Sequence, residues 1–425
     1  MVQLSSDCFA HGGELMRAAN ALDELHARLV PVAAIETVAL SEASKRILAA
    51  DLVAPRDVPP HDNAAVDGYA FRLADLPKSG VPLLPVSGRA AAGHPLGEPM
   101  AHGTALRIFT GAPLPVQRDG PDVIAMQEDC RLHETPGGDR AELPRGLPSG
   151  ANIRKRGEDV RAGNPILAAG ARLRPQDIGL AASVGATELD VFSRLRVALF
   201  STGDEVHEPG ADLPPGGIYD ANRYCLRALL EGLGFAVSDL GILPDRADAI
   251  RAALADAAQA HDAIVTSAGM SVGEEDHMAD AIRALGQLHF WKLAIKPGRP
   301  VALGQVGAVP FIGLPGNPAA MMVTFLRIAR PALLRLAGAT ALTPHIYRVR
   351  AGFDHSKKAD RREFLRVRLS VDDDGILRAA KFPRDGAGIL TSLVEADGLV
   401  ELSEETTSLT AGTMVDFLPF SEVIG

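Results

Sequence analysis

The sequence predicts a multidomain α/β plus β protein: a helical start, a β-rich lobe, a doubly wound parallel sheet and a small C-terminal all-β domain. Three observations carry this. At 425 residues the chain is too long for one core, since a domain takes roughly 100 to 200 residues. Between Arg196 and Leu336 strand-like and helix-like segments alternate, while short apolar runs broken by Pro and Gly fill the stretches on either side. Hydrophobic residues at 47% and charged residues at 23% are ordinary for a globular protein and exclude large-scale disorder.

Leu15, Met16, Ala19, Leu22, Leu25 and Leu29 recur at helical spacing over Gly13 to Leu29, and a second short helix is predicted from Ser41 to Ala50. From Asp51 to about Gly150 the runs VPLLPVSG, ALRIFTGAPLP and DVIAMQED read as strands and turns. From Arg196 onward the order is strand RVALF, loop STGDE, helix NRYCLRALLEGLG, strand AVSDLGIL, a helix from Ala247 to Ala260, strand DAIVTSA and a helix from Asp276 to Leu285. A helix from Pro318 to Leu336 closes the unit. Strands alternating with helices make βαβ units, whose right-handed crossovers give a parallel sheet. Beyond Thr343, IYRVRAGF, EFLRVRLSV, ILRAAKF, DGLVELSE and TMVDFLPF are separated by turn residues, as in a small all-β domain. No fixed-period repeat and no low-complexity tract interrupts this order.

The net charge of −10, with no long basic run, disfavours nucleic acid and anionic lipid as partners, so an anionic ligand needs a local basic pocket. Cys8, Cys130 and Cys225 are far apart, odd in number and outside any CxxC pair, and read as reduced thiols of a cytoplasmic protein. The N-terminus lacks the apolar core of a signal peptide, and no stretch approaches the ~20 apolar residues of a membrane span.

Ligands of open parallel sheets bind at the carboxyl ends of strands, and three strand-end loops here are rich in Gly, Ser and Thr. The loop at 201–205 carries Ser201, Thr202 and Gly203; that at 266–276 carries Gly269, Ser271 and Gly273; that at 313–318 carries Pro315 and Gly316. Glycine lets backbone N–H groups approach a phosphate closely, and a following helix aims its positive end at the anion. In WKLAIKPGRP, Lys292 and Lys296 stand four apart in one predicted strand, so both face one side, opposite Leu293 and Ile295, with Arg299 following. Such a group suits a phosphate or an oxyanion; a solvated strand face is the alternative. Carboxylates gather beside the same loops at Asp204, Glu205, Asp245, Glu274, Glu275 and Asp276, where acids next to a phosphate commonly hold Mg²⁺. Acids at helix N-termini also arise for dipole reasons, which applies best to Glu274 and Glu275.

Gly269-Met270-Ser271-Val272-Gly273 matches the GxSxG elbow of serine hydrolases, but His289 and His345 lie in no recognisable triad motif and no oxyanion loop precedes the elbow in the sheet. The twelve histidines show no HExxH, and no Walker sequence or GxGxxG follows a strand.

Nine segments, in order, resemble the molybdopterin molybdenumtransferase family, which includes bacterial MoeA and the E domain of gephyrin. They are HDNAAVDGYA (61–70), RIFTGAPLP (107–115), AMQED (125–129), NIRKRGEDV (152–160), LFSTGDE (199–205), IYDAN (218–222), SAGMSVGEED (267–276), FWKLAIKPGRP (290–300) and GLPGNP (313–318). The resemblance implies four domains: a linking and dimerisation domain at 1–58 and 156–194, a β-rich lobe at 59–155, a molybdopterin-binding catalytic domain at 195–340 and a β-barrel at 341–425. It implies that molybdenum from molybdate is inserted at the dithiolene sulfurs of adenylylated molybdopterin, with release of AMP and Mg²⁺ assistance. The pterin sulfurs are then the metal ligands, and the protein need not offer a cysteine cluster. Carried onto matching positions, it assigns activity to Asp67, Thr110, Asp159, Glu205, Asp245 and Asp276, with Glu205, Asp245 and Asp276 near Mg²⁺. Lys292 and Lys296 hold the oxyanion or phosphates, supported by Arg154, Arg156 and Arg299. It further implies a homodimer whose partners are the molybdopterin adenylyltransferase and recipient molybdoenzymes. Departures from the family pattern are Val66, Ala268 and His277, where methionine, glycine and tyrosine are usual. The rival readings are the upstream adenylyltransferase, disfavoured by the extra lobes and Asp67, and a scaffold without turnover, which has no physical need for these charges together.

Overall fold

The computed structural model describes residues 15–267, 277–298 and 300–424. Chain contacts divide it into two compact units: Asp51–Ala168 with Pro175–Glu188, and the remainder.

The first unit is the β-rich one. Its six-stranded sheet runs, side by side, Val123–Met126, Gly68–Phe71, Ala105–Ile108, Leu83–Ala90, Arg140–Glu142 and Arg131–His133. Phe71, Leu106, Ile108, Val123 and Ile124 are fully buried and form its core, the central strands being buried on both faces. Asn63–Ala64 pairs with Ile153–Arg154, and Leu52–Val53 with Pro165–Leu167, so distant stretches are zipped together. Asp57 accepts hydrogen bonds from the Ala162 N–H at 2.8 Å and from Arg156 Nε at 2.5 Å, and these hold its carboxyl below the ordinary carboxylate range. A depressed folded-state value means stability present above the unfolded value and lost as pH falls through the folded one. Asp57→Asn should therefore narrow the difference in melting temperature between neutral and strongly acidic solution; an unchanged difference would refute that role.

The second unit holds the alternating elements. In chain order they are β1 (Arg196–Thr202), α1 (Ala221–Gly232), β2 (Ala236–Leu243), α2 (Ala247–Ala260), β3 (Ala263–Ser267), α3 (His277–Leu285), β4 (Gly286–Lys292), β5 (Pro300–Val306) and β6 (Val309–Leu314). The sheet order is β2-β1-β3-β6-β5-β4, and the first four strands are parallel, as the crossover argument predicts. Contrary to a wholly parallel sheet, β5 runs antiparallel to both its neighbours, β6 and β4. The reason is local: β5 and β6 are joined by a two-residue turn with Gly307 at φ 60°, and so short a link can only make a hairpin.

Two other expectations are corrected. The helix expected from Ser41 to Ala50 is a 3₁₀ turn at Leu40–Glu42 followed by the strand Ile47–Leu48, which pairs with Val191–Phe192. Lys45 has φ 62°, which no helix interior tolerates, and the strand buries both Ile47 and Leu48. Lys292 and Lys296 do not share one strand. Lys292 ends β4, whereas Ile295–Lys296 is a separate two-residue strand that pairs in parallel with Arg362–Glu363. Leu293, Ala294 and Ile295 are all buried, so the period-two alternation stops at Ala294, and only the two flanking lysines reach solvent.

The helix expected over 318–336 is continuous but contains a π-turn at Phe325–Ala329 between Pro318–Thr324 and Arg330–Leu336. Pro331 has no N–H to continue the ordinary ladder, which accounts for the local widening. This helix packs with the N-terminal helix Ala18–Arg28 and α1 in one apolar core that includes Leu25, Leu226, Leu326 and Leu333. The five late strands, Tyr347–Ala351, Arg362–Val371, Leu377–Lys381, Gly398–Leu402 and Met414–Pro419, close into a barrel through pairing of the second with the fourth. Val349, Leu365, Val367, Val400 and Phe417 fill it.

Candidate functional site

In the β-rich unit two predicted residues meet. Asp67 Oδ1 accepts from the Thr110 N–H at 2.8 Å and from Thr110 Oγ1 at 2.7 Å. The Thr110 N–H, then its hydroxyl and then Arg107 hold the Asp67 carboxyl below its ordinary range. Arg107 lies over the rings of Tyr69 and Phe109 at 5.0 and 4.5 Å and donates to the Gly68 carbonyl at 3.0 Å, which braces the strands on either side of the pair. Arg154 is exposed on its short strand and Asp159 is exposed in the following turn. Arg156 is engaged locally, with its guanidinium on Asp57 and its N–H donating to Asp62 at 2.8 Å.

In the second unit the carboxyl ends of β1, β3 and β6 lie in register, Ser201 beside Ser267 and Ser267 beside Leu314. Above them is a cleft of about 340 Å³ lined by Ser201, Glu205, Asp220, Asn222, Ser267 and Gly316, among others. Ser201 and Thr202 are buried, yet their hydroxyls have no hydrogen-bond partner among the described residues, and that of Ser201 lines the cleft as a donor for a ligand. Gly203 has φ 130°, and a Cβ there would lie 2.5 Å from Glu205 Oε2, so this tight turn requires glycine. Thr202 pairs with Leu243, so the loops carrying Glu205 and Asp245 leave adjacent strand ends. Both carboxylates are exposed.

Asn222, which the sequence reading passed over although it ends the IYDAN segment, is the clamp of the cleft. Its Nδ2 donates to Ser267 Oγ at 2.8 Å and to the Gly316 carbonyl at 2.7 Å, and so ties the β3 end to the loop after β6. Asp220 caps α1 through the Arg223 N–H at 3.0 Å and pairs with the Arg223 guanidinium, which also binds Asp239 and Glu208. Asn222→Leu leaves the Gly316 carbonyl unpaired, and should lower stability by about 1–3 kcal/mol in urea denaturation. It should also weaken ligand binding in the cleft, and unaltered binding would remove Asn222 from the site.

A second cavity, of about 470 Å³, shares Gly316 and Asn317 with the cleft and is lined by Lys296, Pro315, Glu363, Arg366 and Asp385, among others. Lys296 Nζ is 2.6 Å from Glu363 Oε1. Arg366 donates to Ser392 Oγ at 3.1 Å and to the Gly386 carbonyl at 3.0 Å. Neither Glu363 nor Arg366 was foreseen: they lie 67 and 70 residues beyond Lys296, in a strand that reads as plain barrel wall. Gly269, Ser271, Gly273, Asp276 and Arg299 lie outside the described residues, as does Ala268.

Among the described residues no three His, Cys, Asp or Glu side chains gather as a metal cluster. Burial and the neighbouring Asp129 push the Cys130 thiol up to about 11, and burial raises Cys225, so neither offers a thiolate at neutral pH. No described helix is long and apolar enough to cross a membrane.

Three family models match in succession: the MoeA N-terminal region (domain I and II) over residues 16–185, a probable molybdopterin binding domain over 198–335 and the MoeA C-terminal region (domain IV) over 348–420. A molybdopterin molybdenumtransferase of Haemophilus influenzae is 38% identical over 92% of this chain and 95% of its own. Molybdopterin molybdenumtransferase 2 of Mycobacterium tuberculosis is 34% identical over 89% and 93%. Two crystal structures of the molybdopterin biosynthesis MoeA protein of Pyrococcus horikoshii superpose with TM-scores of 0.74 and 0.78, at 31% and 28% identity. They cover 96% and 95% of this chain and 99% of theirs. The strand-end cleft and the mixed sheet beneath it thus sit in a chain matched almost end to end, and the chain belongs to the molybdopterin molybdenumtransferase family.

Proposed function

We propose that this chain inserts molybdenum from molybdate into adenylylated molybdopterin, with release of AMP. The observation that carries the reading is the junction of two unlike cavities at Gly316 and Asn317. Ser201 and Gly316 line the strand-end cleft, and to them we add Thr202, Gly203, Pro315, Gly269, Ser271 and Gly273 as the residues assigned to a phosphorylated pterin. The larger cavity offers Lys296 and Arg366 to an oxyanion, with Lys292 and Arg299 nearby in sequence. In the β-rich unit, Asp67, Thr110, Asp159, Arg154 and Arg156 are the further residues to which we assign activity.

Mg²⁺ fits the donor set, because it takes one or two carboxylates plus substrate phosphate and water rather than an all-protein cage. Glu205 and Asp245, with Asp276, are the carboxylates that would hold it. The ion would neutralise phosphate charge as AMP leaves.

We further assign a homodimer, a cytoplasmic location, and the adenylyltransferase and recipient molybdoenzymes as partners. The four-domain division, at 1–58 with 156–194, 59–155, 195–340 and 341–425, belongs to the same reading. The decisive experiment is AMP release from adenylylated molybdopterin with and without molybdate. Molybdate-dependent release supports the reading, and its absence in a folded, pterin-binding protein defeats it. Chelation should stop release and added Mg²⁺ restore it; release that survives chelation would remove the metal. Sedimentation as a fully active monomer would contradict the dimer.

A further inference from the structure

The two cations of the larger cavity are treated unequally. Arg366 is only 7% exposed, and its guanidinium meets a hydroxyl and a carbonyl but forms no salt bridge among the described residues. Burial lowers its pKa, and Asp385 and Glu363 oppose that only through longer-range attraction. A buried charge held by neutral acceptors alone is expensive in an apolar wall and is relieved by an anionic ligand. Lys296 is the opposite case. The strand register sets Lys296 directly beside Glu363, and its Nζ meets a carboxylate that is itself 6% exposed.

Further polar groups stand behind Glu363, though His355 Nε2 makes no hydrogen bond to it. Its second oxygen is 3.3 Å from His355 Nε2, His355 Nδ1 is 3.5 Å from Lys381 Nζ, and Lys381 pairs with Asp385 at 3.0 Å. Lys381 thus offsets Asp385, Glu363 offsets Lys296, and among the described residues only Arg366 presents an uncompensated positive charge to the cavity. A tetrahedral oxyanion such as molybdate carries two negative charges. An ammonium has three protons, and with one committed to Glu363 two remain to donate to a ligand.

We propose that Glu363 is a counter-charge that keeps the cavity short of the positive charge a dianion would take, so that the oxyanion is oriented by Lys296 yet released for transfer. This rests on reading the cavity as the oxyanion site. The physical logic is that tight ground-state binding of a metal donor raises the barrier to delivering it, so the site gains from modest affinity.

The test is equilibrium binding of sodium molybdate and sodium sulfate to the full chain as wild type, Glu363→Gln and Lys296→Ala, beside molybdate-dependent AMP release. Glu363→Gln preserves an acceptor for Lys296 and removes only the charge. It should bind both anions on the order of tenfold more tightly, with a steeper salt dependence, and should show a lower KM for molybdate together with a lower kcat. Disruption of the fold does not tighten binding, so this outcome separates charge from structure. Glu363→Met, which fills the volume without charge, is the second variant and should also tighten. Binding equal to or weaker than wild type in the folded variants overturns the proposal. Lys296→Ala tests the underlying reading: loss of anion binding upholds it, whereas wild-type binding there shows that the cavity is not the oxyanion site, whatever Glu363→Gln does.

Discussion

Replacing Asp67 by asparagine should lower molybdate-dependent AMP release by ~100-fold or more while leaving the melting temperature nearly unchanged, since loss of one positioned charge or proton-transfer group typically costs that much. Asn retains the oxygen that accepts from the Thr110 N–H and hydroxyl, so the turn survives and only the charge is lost. Because the Asp67 carboxyl is held below its ordinary range, it stays ionised as pH falls to the usual carboxylate value, and its contribution disappears only as pH falls through the depressed one. Thr110→Val removes one of the two hydrogen bonds and should move that acid limb upward. A pH–rate profile of the three proteins checks both statements. Retention of more than about a tenth of the activity in Asp67→Asn would sink the assignment.

Gly68→Ala should be the most damaging small substitution in the β-rich unit, costing about 3 kcal/mol or more in urea denaturation, at or above the usual range for overpacking. Gly68 lies mid-sheet, in register with Ile108 on one side and Met126 on the other. A Cβ there would stand 1.8 Å from the Ala125 carbonyl oxygen and 2.9 Å from its carbon. The obstacle is backbone of the neighbouring strand, so no side-chain rotation relieves it and the ladder itself must part. Asp67 precedes Gly68, so the same change should displace the carboxylate and abolish AMP release. Limited proteolysis within 51–188 should appear at lower denaturant than in the wild type. A melting temperature within about 2 °C of wild type would show that the strands shift freely.

Glycine at this position is legible in the sequence only as one letter of VDGYA; the contact that demands it belongs to a strand nearly sixty residues away. The same division runs through the molecule. Hydrophobic periodicity by itself determined three of the four parallel strands, α1 to α3 and the five barrel strands, because burial of a face imposes a period on nearby residues; the fourth, Val309–Leu314, was not foreseen. Motif order by itself placed the chain in its family and pointed to the Gly, Ser and Thr loops at the strand ends. Periodicity failed over Ser41 to Ala50, where Lys45 turns the backbone, and at Ala294, where one apparent strand is divided between two sheets. Only tertiary structure decided that Asp67 meets Thr110, that Asn222 ties Ser267 to Gly316 and that Lys296 is shared with Glu363. A sequence pattern reports which side of its own element a residue faces. Partners 43 to 94 residues apart are chosen by strand order and register, which follow from how the elements pack together.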